Sequence, residues 1–333
     1  MIVAGSRSQA LAAELAAVTD HDLATVRYEE FPDGETLVEV DPAGCAAGVD
    51  GAGDGAGVDG ASDGADADGA GDCADADGAG DGADADGTRD HIDADVEDAV
   101  VVAATTAGSA HVELLQLQDA VRELGAETIT TVLPYMGYAR QDEVFETGQP
   151  LSARAVAKAI STGTDRVVVV NPHVERITDF FTVPATSVSA ADRLAEPLPG
   201  DLQDPLFLSP DEGAVDLARD VRDAYSAGET DFFQKTRHSG AAVEIEPSDA
   251  DVADRDVVVT DDIVATGTTM CESIGVLTHR GARRVIVACV HPMLVGNARL
   301  KLATAGVDRV VGTDTIEREV SAVSVAPTLA EEV

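Results

Sequence analysis

The sequence predicts an α/β protein with two domains, each built on a mainly parallel sheet flanked by helices. Short apolar runs, typical of buried strands, alternate with amphipathic helical segments along most of the chain. This alternation starts twice, once at the beginning of the chain and again near residue 205. The length of 333 residues is sufficient for two domains of ordinary size.

The pattern places elements as follows. In the first series, residues 1–40 predict a strand, a helix and a strand, with a polar loop at residues 31–35; strands are expected at 99–103, 128–133 and 166–170, and helices at 111–124 and 152–161. In the second series, strands are expected at 206–208, 242–245, 257–259 and 285–290, and helices at 214–224 and 271–280. Ligands of such sheets bind beyond the carboxyl ends of strands, so functional residues are expected in the loops that follow the strands.

Residues from about 44 to 95 interrupt the first series with near-repeats of Gly, Ala and Asp. With few large apolar side chains, this acidic insert cannot offset its ordering entropy, so it is predicted to be disordered. A calcium loop of the EF-hand type needs Asp at its first, third and fifth positions. The repeat with Asp66 and Asp68 has Gly64 in the first position, which favours a solvated loop over a calcium site.

Acidic residues far outnumber basic ones, with 62 Asp and Glu against 22 Lys and Arg, and the net charge is −40. Lysine occurs only as Lys158, Lys235 and Lys301. This composition indicates adaptation to high salt, where screening weakens self-repulsion; the alternative is acidic drift plus one acidic insert. Nucleic acids and anionic membranes require basic surfaces, so neither is expected as a partner.

A cytoplasmic location is expected. The first residues lack a charged leader followed by a long apolar core. The sequence also has no run of about 18 apolar residues, the length needed to span a bilayer. The four cysteines form no Cys-x-x-Cys pair, which favours a reducing compartment and argues against a zinc site.

The most specific local pattern is a strand, an acid pair, a loop and a helix at residues 257–269. The strand ends at Asp261 and Asp262, whose carboxylates can accept hydrogen bonds from two sugar hydroxyls. The amides of the loop and helix start can bind an anion, and Gly267 allows close approach of a phosphate. The pattern therefore predicts a sugar-phosphate site, and the alternative is an acid pair that only caps the helix. It resembles the ribose-phosphate loop of the phosphoribosyltransferase fold and lacks the Gly-Lys-Ser/Thr of a P-loop.

Further segments resemble the ribose-phosphate diphosphokinase family, and the most distinctive is Pro134-Tyr-Met-Gly-Tyr-Ala-Arg-Gln-Asp142. The other matching segments are residues 5–8 (Gly-Ser-Arg-Ser), 31–35 (Phe-Pro-Asp-Gly-Glu), 113–115 (Glu-Leu-Leu), 171–173 (Asn-Pro-His), 209–213 (Ser-Pro-Asp-Glu-Gly), 235–237 (Lys-Thr-Arg) and the phosphate loop. The resemblance covers nearly all of the chain except the acidic insert.

The resemblance implies two phosphoribosyltransferase-like domains, at residues 1–186 for ATP and 187–314 for ribose 5-phosphate. Residues 315–333 are expected to return to the first domain. The implied reaction transfers the diphosphate of ATP to ribose 5-phosphate, with Mg²⁺ as cofactor, in a homo-oligomer.

The same resemblance assigns the site residues. ATP is expected at Phe31, Asp33, Gly34, Glu35, Arg140, Gln141 and Asp142. Ribose 5-phosphate is expected at Asp261, Asp262, Ala265, Thr266, Gly267, Thr268 and Thr269. The metal is expected at His173 and Asp211, and the transition state is expected to be stabilised by Lys235 and Arg237, on a polar stretch interpreted as a mobile loop.

Some positions depart from the family's usual pattern. Asn171 stands where the family often has Asp, and residues 265–269 lack the usual third acid and second Gly. Two alternatives to the synthetase stay open: an ordinary phosphoribosyltransferase and an inactive regulatory subunit. The first would not need the Arg-Gln-Asp segment or a second α/β half, and the second predicts loss of Lys235 and Arg237, which are both present.

Overall fold

The computed structural model of the chain describes residues 1–42, 96–237, 243–247 and 250–333, without the side chains of 234–237 and 243–247. The acidic insert, with its predicted disorder and its alternative as a calcium loop, lies outside these ranges. None of the helices within them is both long and apolar enough to cross a bilayer.

The elements follow the predicted alternation. In the first half they are β1 (Ile2–Ala4), α1 (Gln9–Thr19), β2 (Thr25–Glu30), β3 (Thr36–Asp41), β4 (Asp98–Val102), α2 (Gly108–Glu123), β5 (Thr128–Leu133), α3 (Ser152–Ile160), β6 (Arg166–Val170) and β7 (Ala185–Val188). In the second half they are β8 (Leu206–Ser209), α4 (Val215–Tyr225), β9 (Glu229–Arg237), β10 (Val243–Pro247), β11 (Asp256–Ile263), α5 (Thr268–His279), β12 (Arg284–His291), α6 (Ala298–Ala305), β13 (Arg309–Thr313), β14 (Ser321–Val323) and α7 (Ala326–Leu329). Short 3₁₀ turns lie at Glu175–Phe180, Asp192–Ala195 and Glu212–Ala214.

Two large sheets form the framework of the described residues. The first has the strand order β1-β4-β5-β6-β7 and is parallel throughout. The second has the order β10-β9-β8-β11-β12-β13-β14 and is parallel except for the β9–β10 pair. The antiparallel hairpin of β2 and β3 stands apart from both sheets. The predicted fold class, two mainly parallel sheets flanked by helices, is confirmed.

Helix α2 illustrates how the sequence fixes these elements. Leu114, Leu117 and Val121 are fully buried and are spaced by three and four residues, so they line one face of the helix. Gly125, just past the end of α2, has φ +99°, a left-handed conformation that glycine adopts without steric cost. The apolar face packs against the strands of the first sheet and the glycine ends the helix.

The two sheets share one apolar cluster, and each sheet also has a core of its own. Val168 in β6 belongs to the same buried cluster as Phe207 in β8 and Ile286 in β12. The end of the chain contributes to both halves. Strand β14 joins the second sheet. Helix α7 packs on α1 of the first half, and Arg166 in β6 donates a hydrogen bond to the Glu332 carbonyl (2.6 Å). This shared packing holds the two sheets against each other.

Several elements differ from the prediction. The polar stretch of Lys235 and Arg237, interpreted as a mobile loop, is the end of strand β9, so that prediction was wrong for the backbone. The boundary expected after residue 186 falls inside β7, which pairs with β6 in the first sheet. Helix α5 starts at Thr268, three residues before the predicted start at 271.

Candidate active site

The loop after β11 has the geometry expected of an anion site. Gly267 precedes the first residue of α5 and has φ +73°, so it turns the chain into the helix in a conformation that favours glycine. Thr266 and Thr268 are exposed, and their hydroxyl oxygens are 3.3 Å apart. The first four amides of a helix have no partner within it, so the start of α5 presents donors to a bound phosphate.

The pKa values of Asp261 and Asp262, near the end of β11, are shifted in opposite directions. Burial and the negative charge of Asp262 raise the pKa of Asp261 well above its usual value. Burial also opposes the charge of Asp262, but the hydrogen bonds from His173 and Asp261 hold the pKa of Asp262 below its usual range. Negative charge is therefore favoured on Asp262 over Asp261.

His173 joins the first sheet to this loop. It lies three residues after the end of β6, and its Nδ1 is 2.8 Å from Oδ2 of Asp262 in β11. This hydrogen bond raises the pKa of His173, so its Nδ1 donates to the carboxylate. The contact brings together residues from two sheets that are far apart in the sequence.

A cleft of about 290 Å³ lies over this junction. Predicted site residues that line it are Arg140, His173, Asp211, Asp261, Asp262, Ala265, Thr266, Gly267, Thr268 and Thr269. The structure thus gathers all the predicted ribose 5-phosphate residues, both predicted metal residues and Arg140 in one place.

Other predicted ATP residues lie elsewhere. Phe31, Asp33, Gly34 and Glu35 form the turn of the β2–β3 hairpin and do not line this cleft. Within the turn, the Glu35 amide donates to Oδ1 of Asp33 (3.2 Å) and the Gly34 amide to the Phe31 carbonyl (2.8 Å). This turn therefore lies outside the cleft.

Gln141 and Asp142 have partners within the protein. Ser152 donates its hydroxyl hydrogen to Oε1 of Gln141 (2.6 Å), at the start of α3. Arg176 donates to Oδ2 of Asp142 through Nε (2.9 Å) and through a second guanidinium nitrogen (2.5 Å). These contacts fix the chain on either side of α3 and leave Arg140, which is exposed, as the member of the Arg-Gln-Asp run that reaches the cleft.

The positions of Lys235 and Arg237 follow from the backbone register of β9 against β8. Ser209, the last residue of β8, pairs with Phe232 of the parallel strand β9. Lys235 is three residues further along, about 10 Å beyond the end of β8 at the usual rise of a strand. The end of β9 therefore projects past the same edge of the sheet that carries Asp211.

His291 is a buried residue of this region that the sequence interpretation did not identify. It is the last residue of β12 and contacts Asn171 and Thr315 through its two ring nitrogens. The ring of Tyr135 meets it edge-on at a centroid distance of 5.1 Å. Its position at the carboxyl end of the predicted strand 285–290 was the available signal.

The residues that could hold a cation are Asp211 and His173. Among the described residues, no three His, Cys, Asp or Glu side chains are arranged to hold an ion by themselves. Because Nδ1 of His173 donates to Asp262, Nε2 is the ring nitrogen left for a ligand. One carboxylate and one imidazole nitrogen fit a cation that takes most of its ligands from substrate oxygens and water, as Mg²⁺ does.

A strand, an acid pair, a Thr/Gly loop and a helix at the edge of a mainly parallel sheet define the phosphoribosyltransferase class. Accordingly, residues 185–327 match the family described as phosphoribosyl transferase domain, and residues 91–163 match the N-terminal domain of ribose phosphate pyrophosphokinase. The chain belongs to the ribose-phosphate pyrophosphokinase family.

Full-length relatives support this assignment. Ribose-phosphate pyrophosphokinases from two strains of Halobacterium salinarum are 54% identical over 331 residues, which cover 99% of this chain and 99% of each relative. The protein of that name from Methanothermobacter thermautotrophicus is 34% identical, again over 99% of both chains. The crystal structure of phosphoribosylpyrophosphate synthetase from Mycobacterium smegmatis has a TM-score of 0.71 and 25% identity, covering 100% of this chain and 96% of that one.

Proposed function

We propose that the cleft transfers the diphosphate of ATP to ribose 5-phosphate, giving 5-phosphoribosyl 1-diphosphate and AMP for nucleotide biosynthesis. Family membership over the full chain supports the reaction. The observation that carries the site is the contact between His173 and Asp262, because it joins the sugar-phosphate loop to the first sheet within one cleft.

Ribose 5-phosphate is proposed to bind the second sheet. Its phosphate would accept hydrogen bonds from the amides at residues 266–269 and from the Thr hydroxyls. Its ring hydroxyls would donate to the carboxylates of Asp261 and Asp262. The anomeric oxygen would then point toward His173 and Arg140, which also line the cleft.

ATP is proposed to bind the first sheet, with its phosphates near Arg140, whose planar fork of donors suits phosphate oxygens. Members of the family are generally dependent on Mg²⁺, and Asp211 and Nε2 of His173 are the groups proposed to hold it. The ion would supply charge neutralisation on the triphosphate oxygens. The hairpin turn at 31–35 is proposed to contact adenine from a neighbouring copy in a homo-oligomer.

The protein's share of the chemistry is positioning and charge stabilisation. The anomeric oxygen forms a bond to the β-phosphorus and releases its proton to solvent water. The bond from that phosphorus to the oxygen that bridges it to the α-phosphorus breaks, and AMP leaves with that oxygen. Lys235 and Arg237 are proposed to stabilise the charge on the transferring group from the end of β9.

An assay with ATP, Mg²⁺ and ribose 5-phosphate in molar potassium chloride tests this function. AMP and 5-phosphoribosyl 1-diphosphate are expected in equal amounts, and only when all three components are present. A phosphoribosyltransferase would instead consume 5-phosphoribosyl 1-diphosphate with a base, and an inactive regulatory subunit would do neither, so either outcome rejects the proposal.

A further inference from the structure

We propose that His291 is a positioning residue for the diphosphate transfer, because its hydrogen bond to the Asn171 carbonyl holds the segment that presents His173 to Asp262. This inference rests on the proposed roles of His173 and Asp262.

His291 occupies the junction of the two sheets. It ends β12 in the second sheet, is only 3% exposed, and lies opposite Ile263 of β11 in the strand register. Around it are Asn171, which follows β6, Tyr135, which follows β5, and Thr315, which follows β13. One ring therefore touches loops at the carboxyl ends of three strands from both sheets.

The hydrogen bonds of His291 define its tautomer. Nε2 is 3.1 Å from the Asn171 carbonyl oxygen, which can only accept, so Nε2 carries a hydrogen. Nδ1 is 2.9 Å from the Thr315 hydroxyl oxygen and can accept its hydrogen. Burial lowers the pKa of His291, which favours this neutral form.

Asn171 has φ +37°, in the left-handed region that residues other than glycine and asparagine rarely adopt. Its amide donates to the Val188 carbonyl (2.9 Å), and its Oδ1 accepts a hydrogen bond from the Ala190 amide (2.7 Å). The bond from His291 to its carbonyl completes the set, so both backbone polar groups and the side chain are fixed.

The conformation of Asn171 reaches His173 through a single residue. That residue is Pro172, whose ring restricts φ to about −65° and removes one source of freedom. A tilt of the Asn171 carbonyl therefore moves His173 relative to Asp262. The hydrogen bond from His291 to Asn171 thus acts indirectly on the proposed metal ligand His173, as the outer hydrogen-bond partners of metal ligands do. Loss of such partners typically costs roughly 10–100-fold in metal affinity or activity.

Two substitutions of His291 separate positioning from packing. In His291→Gln, the side-chain amide nitrogen can take the place of Nε2 and donate to Asn171. In His291→Asn, the amide matches Nδ1 and cannot reach the carbonyl. We expect His291→Asn to lower kcat and raise the Mg²⁺ concentration for half-maximal rate, each by about 10–100-fold, and His291→Gln to stay within about threefold of the parent.

Thermal unfolding of the same variants gives the readout for packing alone. The inference is overturned if folded His291→Asn keeps the parent kcat and Mg²⁺ requirement, or if folded His291→Gln is impaired as much as His291→Asn. If His291→Asn does not fold, Thr315→Val and Thr315→Ser provide the matched comparison, since only Ser keeps the hydroxyl for Nδ1. A Thr315→Val variant with the kinetics of Thr315→Ser then rejects the inference.

His173→Gln belongs in the same Mg²⁺ titration. A parent-like Mg²⁺ requirement for His173→Gln would reject the proposed role of His173 itself. A raised requirement for His173→Gln together with an unchanged one for His291→Asn would reject only the positioning role of His291.

Discussion

Lysine is rare in this chain, and one of its three lysines lies on the strand that projects past the cleft edge. We predict that Lys235→Ala lowers turnover by about 10²–10³-fold, the usual loss for one transition-state donor. The matched control is Lys158→Ala, on the exposed face of α3, which should keep parent turnover. Steady-state AMP release measures both, and near-parent turnover of Lys235→Ala would remove this residue from the mechanism.

Asp261→Asn should weaken ribose 5-phosphate binding while leaving ATP binding nearly unchanged. The amide keeps the shape of the side chain but loses one of the two carboxylates proposed to accept sugar hydroxyls. Calorimetric titration with each substrate measures the two affinities separately. Exposed Asp223→Asn, on α4, is the control, and a selective loss of ATP binding in Asp261→Asn would contradict the assignment.

At the residue scale, motif and position together predicted the cleft. Asp261 and Asp262 were identified from the strand, acid-pair, loop and helix pattern, and His173 from the family resemblance. All three end or follow strands, and the carboxyl ends of parallel strands share an edge. His291 was missed because a single His has no motif, and its partners come from segments far apart in the sequence. Nothing in the Arg-Gln-Asp run indicated that Gln141 would bond to Ser152.

Helix α5 provides two glycines with opposite expectations. Gly267 has φ +73° at the helix start, so Gly267→Ala should destabilise the protein by about 1–2 kcal/mol and weaken ribose 5-phosphate binding. Gly275, inside the helix, is exposed and has no atom within 4 Å of an added Cβ, so Gly275→Ala should stabilise by about 0.5–1 kcal/mol. Chemical unfolding measures the stability of both variants. Changes in the free energy of unfolding with the same sign for Gly267→Ala and Gly275→Ala would contradict this explanation of the loop.

Strand β11 begins at a buried ion network. Burial opposes the charge of Asp256, but hydrogen bonds from Arg284, the Gln203 amide and Arg283 hold the pKa of Asp256 below its usual range. We predict that Asp256→Asn lowers the free energy of unfolding at neutral pH by about 2–3 kcal/mol, near the low end for a broken buried pair because both arginines can rehydrate.

The pH dependence of this effect follows from the lowered pKa. The contribution of Asp256 is present above its unfolded pKa of about 3.9 and is lost as the pH falls through the lower folded value. The difference in the free energy of unfolding between the parent and Asp256→Asn, measured by denaturant titration, should therefore become smaller at acid pH. As a control, Asp216→Asn, which breaks an exposed ion pair with Arg219, should change the free energy of unfolding by less than about 0.5 kcal/mol. If the difference in unfolding free energy between the parent and Asp256→Asn stays constant down to about pH 2, below both pKa values, the role assigned to Asp256 is contradicted.

At the element scale, periodicity predicted most of the strands and helices that carry the site. It failed for residues 235–237, because a polar stretch can pair as a strand when a neighbouring strand supplies the hydrogen bonds, as β10 does for β9. Strands β3, β7, β13 and β14 and helices α6 and α7 were also not predicted. Strands β7 and β14 are short and obtain their stability from their neighbours in the sheet.

At the scale of the whole molecule, the charge of −40 should make stability depend on salt. The composition indicated a high-salt protein, and the relatives from Halobacterium salinarum agree with that interpretation. We predict that the thermal midpoint rises steadily as potassium chloride increases toward molar concentration, because screening weakens self-repulsion. A midpoint that is unchanged or falls over that range would contradict this explanation of the composition.

The arrangement of the two sheets was beyond local sequence patterns. Periodicity identifies which face of an element is apolar, but not which distant element covers it. The shared cluster of Val168 and Phe207, and the contact of His173 with Asp262, arise from packing between segments that no motif connects.

The most direct measurement is a crystal structure with ribose 5-phosphate, Mg²⁺ and a non-hydrolysable ATP analogue. We predict the sugar phosphate on residues 266–269, its hydroxyls on Asp261 and Asp262, and the triphosphate between Arg140 and His173. Ribose 5-phosphate bound to the first sheet, or a triphosphate out of reach of the anomeric oxygen, would contradict the account.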